Sequence, residues 1–185
     1  MKHHIFFLLF LLVLDSQAQQ TGELGKWHAP QPLQTLKTAP VALVPFPQQV
    51  QWLKEEWKLP SQLTIVVDGS QPSLTDNALR SLKALLAATS IQCNVKILST
   101  NDKAPLNAIQ LKTANSSSLK AEGYQLHIAA KGILIQSNDA AGFYYAVQTL
   151  RQIMAQKNAK NQLPGCSITD WPAFALRGFM HDNGR

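Results

Sequence analysis

Tyr124-Gln-Leu-His-Ile-Ala-Ala-Lys-Gly-Ile-Leu-Ile-Gln-Ser137 runs straight into Asn138-Asp-Ala-Ala-Gly-Phe-Tyr-Tyr-Ala-Val-Gln-Thr-Leu-Arg-Gln-Ile-Met-Ala-Gln156, and the hydrophobic period changes at the join. Before it, apolar and polar residues alternate on both sides of Lys131-Gly132. Tyr124–Ala129 and Gly132–Ser137 therefore read as a β-hairpin turning at the glycine. After it, Phe143, Val147, Leu150 and Met154 form one stripe, with Tyr144 and Ile153 beside it. That spacing predicts a long helix from Asp139 to about Gln156. Phe143, Tyr144 and Tyr145 read as its core and boundary residues. Strands and helix made by one contiguous stretch define an α+β fold.

Upstream, Gln62–Asp68 is a strand closed by Asp68-Gly69. Ser73 reads as the N-cap of a helix whose Asp76 favours the positive end of the dipole. Leu74, Ala78, Leu82, Leu85 and Leu86 share one face of it, down to about Thr89. Asn94–Leu98 and Ala108–Lys112 are two more strands, so strand–helix–strand gives a crossover unit. Val41–Pro47 is extended, because Pro45 and Pro47 exclude helix. Trp52 and Trp57, with Leu53, Leu59 and Lys54, suit either a sugar-stacking platform or core packing of an amphipathic segment, and packing is the simpler reading. Asn158–Leu163 reads as a polar connector closed by Pro164-Gly165. The expectation is a small sheet of about five strands with two helices covering one face, over residues 41–164.

The 185 residues begin with Lys2, His3 and His4, an apolar run Ile5–Leu14 and a small-residue site at Ser16-Gln17-Ala18. This is the layout of a signal peptide over 1–18, too short to span a bilayer, so export to a periplasm or the cell exterior is expected. No cysteine follows the run, which disfavours a lipid anchor. Residues 19–40 are polar, carry proline and read as a disordered leader. Net charge is +6, and cleavage after Ala18 removes one lysine and one aspartate, leaving it unchanged. The basic residues are scattered without an aromatic ladder, which argues against a nucleic-acid groove. Cys93 and Cys166 are free to pair in an exported protein or to sit as small buried residues. No metal site is expected: His28 and His127 are isolated, and His3 and His4 leave with the signal peptide.

The last stretch is Ile168-Thr-Asp-Trp-Pro-Ala-Phe-Ala-Leu-Arg-Gly-Phe-Met-His-Asp-Asn-Gly-Arg185. Asp170-Trp171-Pro172 reads as a turn. Ala173–Met180 is apolar apart from Arg177, as in a strand buried on both faces, where an arginine needs a partner. This segment resembles the first barrel strand of the β-N-acetylhexosaminidases, family 20 of the glycoside hydrolases. The elements of likeness are Asp170, Pro172, Phe174, Arg177-Gly178, Asp182 and Arg185. Leu43–Val50, Glu122–Leu126 and Ala141–Gln152 resemble the small domain that precedes that barrel, one whose fold is likened to zinc proteases. The sequence has no His-Glu-x-x-His. His181 stands where the family commonly has leucine, and Asn183-Gly184 where it has a small apolar pair.

The resemblance implies that residues 165–185 open a (β/α)8 barrel. It also implies retaining hydrolysis of terminal β-linked N-acetylglucosamine or N-acetylgalactosamine from glycans, without a cofactor. The substrate's own acetamido oxygen is the nucleophile in this family, outside the two-carboxylate scheme. A glutamate gives the proton, and the aspartate before it orients the acetamido group. No Asp-Glu dipeptide occurs in this sequence; its one acidic pair is Glu55-Glu56. Barrel strands close as a set of eight, so the chain is expected to be a truncated or partial form of a longer enzyme, inactive by itself. By resemblance Arg177 is the substrate-binding arginine that contacts sugar hydroxyls; the simpler alternative is a structural arginine bridging barrel and small domain. Asp182 and Arg185 are expected to form a structural ion pair near the site, and His181 to be a packed histidine. A stand-alone glycan- or protein-binding module is the competing reading. It would end in a polar tail after the helix near Lys157, where this chain continues into an apolar strand.

Overall fold

The computed structural model describes residues 39–99, 102 and 105–178. Seven strands form one mixed sheet in the order β1-β7-β5-β6-β4-β2-β3. They are β1 (Gln49–Lys58), β2 (Gln62–Asp68), β3 (Gln92–Leu98), β4 (Ala108–Thr113), β5 (Tyr124–Ala129), β6 (Gly132–Ser137) and β7 (Gln162–Asp170). Two helices accompany it: α1 (Asp76–Ala88), entered through a 3-10 turn at Pro72–Thr75, and α2 (Ala140–Ala155). β2, α1 and β3 form the expected crossover, with β2 and β3 adjacent and parallel. β5 and β6 form the expected antiparallel hairpin, and Gly132 at its turn has φ +140°. A Cβ there would lie 2.6 Å from the Ala108 carbonyl oxygen, so only glycine fits both the dihedral and the space.

One face of the sheet carries Leu63, Ile65, Val67, Ile109, Leu111, Leu126, Ile128, Ile133 and Ile135, all buried in one cluster with Leu82, Leu86, Phe143, Val147, Leu150 and Met154 from the helices. Strand alternation and helix stripe thus meet in a single core, with both helices on the same face. Tyr144 departs from the expected core and boundary reading: it is 41% exposed, while Phe143 is fully buried.

The expected five strands become seven. The two additions, β1 and β7, pair with each other, and β7 also pairs with β5. The polar connector expected over 158–163 therefore gives way to a strand from Gln162. The sheet continues past Pro164 to Asp170, so the domain runs beyond the boundary expected there. Pro164 is tolerated because β5 pairs only with Cys166 to Asp170, leaving the proline beside the register shift in β1. Trp57 is fully buried and Trp52 packs against the core, as the packing reading requires.

Ser73 is not the N-cap of α1. Pro72 opens the 3-10 turn first, and Thr75 takes the cap position with its Oγ1 donating to the Pro72 carbonyl, 2.8 Å. Asp139 does cap α2, its carboxylate accepting from the Gly142 N–H at 2.8 Å. Cys93 and Cys166 are both free thiols. They lie on β3 and β7 with four strands between them, a separation of roughly 24 Å at ~4.8 Å per strand, far beyond disulfide reach. Burial pushes the Cys166 thiol up to about 12.

Candidate functional site

The extended segment before β1 lies along α2. Gln152 on that helix and Gln156, its C-cap residue one turn further on, each clasp one backbone unit of the segment. Gln152 accepts from the Val44 N–H (2.9 Å) and donates to the Val44 carbonyl (3.0 Å). Gln156 does the same for Ala42, at 3.0 and 2.8 Å. Two residues of extended chain and four residues of helix advance by about the same 6–7 Å, so alternate residues meet alternate glutamines. Val41 and Leu43, flanking the clasped Ala42, are buried.

About one turn earlier on the same helix, at Thr149, the start of β5 meets the end of β7. Tyr124 opens β5 and is almost fully buried. Its hydroxyl donates to Asp170 Oδ2 at 3.3 Å, with Thr149 Oγ1 at 2.6 Å. A phenol has one proton, so Thr149 is the donor in the shorter bond. Asp170, the last residue of β7, accepts from the Gln48 N–H at 3.1 Å through its other oxygen. Burial raises the Asp170 carboxyl above its usual range, and the bonds from Gln48, Trp171 and Tyr124 offset part of that rise. Tyr124 is raised well above an ordinary phenol, chiefly by burial and then by the neighbouring Asp170 charge.

Beyond Asp170 the chain turns at Trp171-Pro172 and crosses the mouth of this junction. Lys120 Nζ stacks over the Trp171 ring at 4.3 Å. Arg177 reaches back to the small domain: its guanidinium pairs with Glu122 Oε2, donates to the Phe174 carbonyl at 2.7 Å and lies 3.3 Å from the Tyr145 hydroxyl. Glu122 itself has φ +57°, a conformation uncommon for a non-glycine residue. Its N–H is held at 2.7 Å by Asp139 Oδ2, so one carboxylate both caps α2 and fixes Glu122. Between α2, the Val44–Phe46 segment and Trp171–Arg177 lies a cleft of about 460 Å³ whose walls include Tyr145, Gln148, Trp171 and Phe174.

Of the residues singled out in the sequence, the structure brings Arg177 to the rim of this cleft. Asp182, Arg185 and His181 lie outside the described residues. The strand expected at Ala173–Met180 is not formed over its described part: residues 173–178 pair with no other strand, and Leu176 is 92% exposed. A parallel strand needs neighbours on both edges to bury such a sequence, and none lies beside it among the described residues. Glu122, Tyr145 and Asp170 were not singled out as site residues, although all three stand inside segments that carry the family likeness. Among the described residues no group of three His, Cys, Asp or Glu side chains is gathered to hold a metal ion. No helix among them is long and apolar enough to cross a membrane.

The architecture is that of a small α+β domain that hands its chain on at Asp170. Residues 41–171 match the family described as "Glycosyl hydrolase family 20, domain 2", and the chain belongs to glycosyl hydrolase family 20. A beta-hexosaminidase of Porphyromonas gingivalis is 29% identical over 149 residues, which is 77% of this chain and 18% of that protein. An N,N'-diacetylchitobiase of Vibrio harveyi is 41% identical over 66 residues, 36% of this chain and 7% of that protein. Among solved structures, an exo β-N-acetylglucosaminidase from Vibrio harveyi in complex with N-acetylglucosamine superposes with a TM-score of 0.58 at 22% identity, over 76% of this chain and 20% of that one. At that identity the likeness is one of fold. The chain therefore spans less than a fifth of the curated relatives it matches.

Proposed function

We propose that this chain is the amino-terminal part of an exported β-N-acetylhexosaminidase that removes terminal β-linked N-acetylglucosamine or N-acetylgalactosamine by the substrate-assisted retaining route. The observation that carries this reading is the family match over 41–171. It is continuous with the Asp170, Pro172, Phe174 and Arg177-Gly178 spacing that resembles the first barrel strand. The proton donor and the aspartate before it then belong to sequence beyond these residues, since no Asp-Glu pair occurs among them. Within the chain, Arg177 is the residue assigned to substrate: its fork of donors suits vicinal sugar hydroxyls and an adjacent carboxylate. Asp182 with Arg185 is assigned the structural role of closing the strand onto its loop.

The test is made on the complete gene product recovered from outside the cytoplasm. It is expected to begin at Gln19 and to release p-nitrophenol from the N-acetyl-β-glucosaminide. Arg177→Ala should lower kcat/KM by about 10–100-fold, the range for losing a charge-assisted hydrogen bond, and Arg177→Lys should recover only part of it. An Arg177→Ala enzyme with unchanged kcat/KM would remove Arg177 from the substrate site.

A further inference from the structure

We propose that the free edge of β3 is the interface through which two copies of this protein join, strand to strand, into one continuous sheet. The contact is independent of the hydrolytic reading. β3 ends the strand order and, among the described residues, pairs only with β2. The Gln92 N–H donates to the Ser61 carbonyl, and the Gly69 N–H donates to the Leu98 carbonyl. The even-numbered residues of β3 therefore direct their backbone groups to β2, and Cys93, Val95 and Ile97 turn theirs outward. The described part of the chain leaving β3 does not cover them: Ser99 and Asp102 line a small pocket with Val66, Gln110 and Lys112, so it turns across the sheet toward β4. The opposite edge of the sheet is blunted. β1 carries Lys54, Glu55, Glu56 and Lys58 and shifts register against β7, features that keep a strand from templating another. β3 instead holds unbroken register with β2 from Gln92 to Leu98, has no proline and carries one charge, Lys96. Its Ile97 is 66% exposed although it shares a face with core-packed Cys93 and Val95.

The occupant that fits is a second copy, because β3 is complementary to itself. Antiparallel pairing about a two-fold axis at Val95 sets Val95 against its own counterpart, Cys93 against Ile97 and Asn94 against Lys96. Each odd-numbered pair exchanges both backbone bonds, Ile97 is covered by the apolar edge of the second copy, and no lysine faces a lysine. An isologous contact of this kind closes after two subunits. The helices follow the strands. α1 joins β2 to β3 and rides above them, so at ~4.8 Å per strand its two copies lie roughly 10 Å apart, the spacing of packed helices. Ser81 faces α2, accepting from Gln148 and Arg151. The flank of α1 turned away from it carries Asp76, Leu79, Lys83 and Ala87 at helical spacing, which supplies opposite charges to pair across the axis.

Sedimentation velocity on the complete gene product tests it, beside Ile97→Lys and an Asn94→Cys/Lys96→Cys double variant. The unaltered protein is expected to sediment as a concentration-dependent dimer. Ile97→Lys buries a lysine from each copy at a position the single copy leaves exposed, so the dimer should weaken on the order of tenfold or more, with the urea midpoint at high dilution unchanged. Under mild oxidation the double variant should give a covalent dimer whose bridge joins 94 of one copy to 96 of the other, identified by peptide mass spectrometry. That pair lies between the hydrogen-bonded ones, where side chains approach closest. A monomer at every concentration overturns the proposal. So does a dimer that keeps its affinity in Ile97→Lys, or one that yields no 94–96 bridge, since either places the contact on another surface. Should Ile97→Lys fail to fold, the bridge alone decides.

Discussion

Asp170 is the residue on which the junction turns. It ends β7, holds the start of the sheet through Gln48, accepts from buried Tyr124 and points the chain into Trp171-Pro172. Its carboxyl is raised from the ordinary value of 3.8 by burial. A raised carboxyl contributes stability that is fully present below 3.8 and is lost as pH rises through the folded-state value. Asp170→Asn keeps an acceptor and removes the titration, so the stability of wild type relative to this variant should fall as pH rises from below 4 toward neutrality, measured as urea midpoints. A constant difference across that range would show that burial does not govern Asp170. At this scale the sequence was partly legible. Asp139 reads as a helix start from its position before the Phe143 stripe. Glu122 and Tyr145 do not read as Arg177 partners, because the contact depends on a chain reversal at Trp171-Pro172 that no local pattern encodes.

The elements show where periodicity succeeds and where it fails. The β5–β6 hairpin and both helices carry clean periods of two and 3.6, and all of them form within a few residues of the expected bounds. β1 and β7 do not. β1 shifts register between Trp52 and Glu56, so Trp52 and Trp57 both turn inward although an odd number of positions separates them. β7 contains Pro164 and Gly165, which read locally as a break. Their pairing is decided across the sheet, by each other. Close packing also sets the N-terminus of α2: a Cβ on Gly142 would overlap the Gly123 carbonyl and the Ser137 hydroxyl. Gly142→Ala gains up to ~1 kcal/mol of helix propensity and should lose about 1–3 kcal/mol to overpacking. The expected result is a lower urea midpoint; an unchanged or higher one would mean that α2 can shift away from β5 at little cost.

For the whole molecule, the sheet and its two helices form a finished core, while residues 173–178 remain unpaired and apolar on its surface. The family of the small domain was legible because four separate segments agree in order, and the match over 41–171 states the same likeness independently. The fate of the apolar segment was not, since burying a barrel strand takes neighbours supplied from elsewhere in sequence. The central claim is that this domain serves a hexosaminidase whose acid catalyst lies beyond it. The most direct measurement compares hydrolysis of p-nitrophenyl N-acetyl-β-glucosaminide by the complete gene product and by the 185-residue chain at equal concentration. Turnover by the complete product with none from the 185 residues is the predicted result. Turnover by the 185-residue chain, or none by a folded complete product, would contradict it.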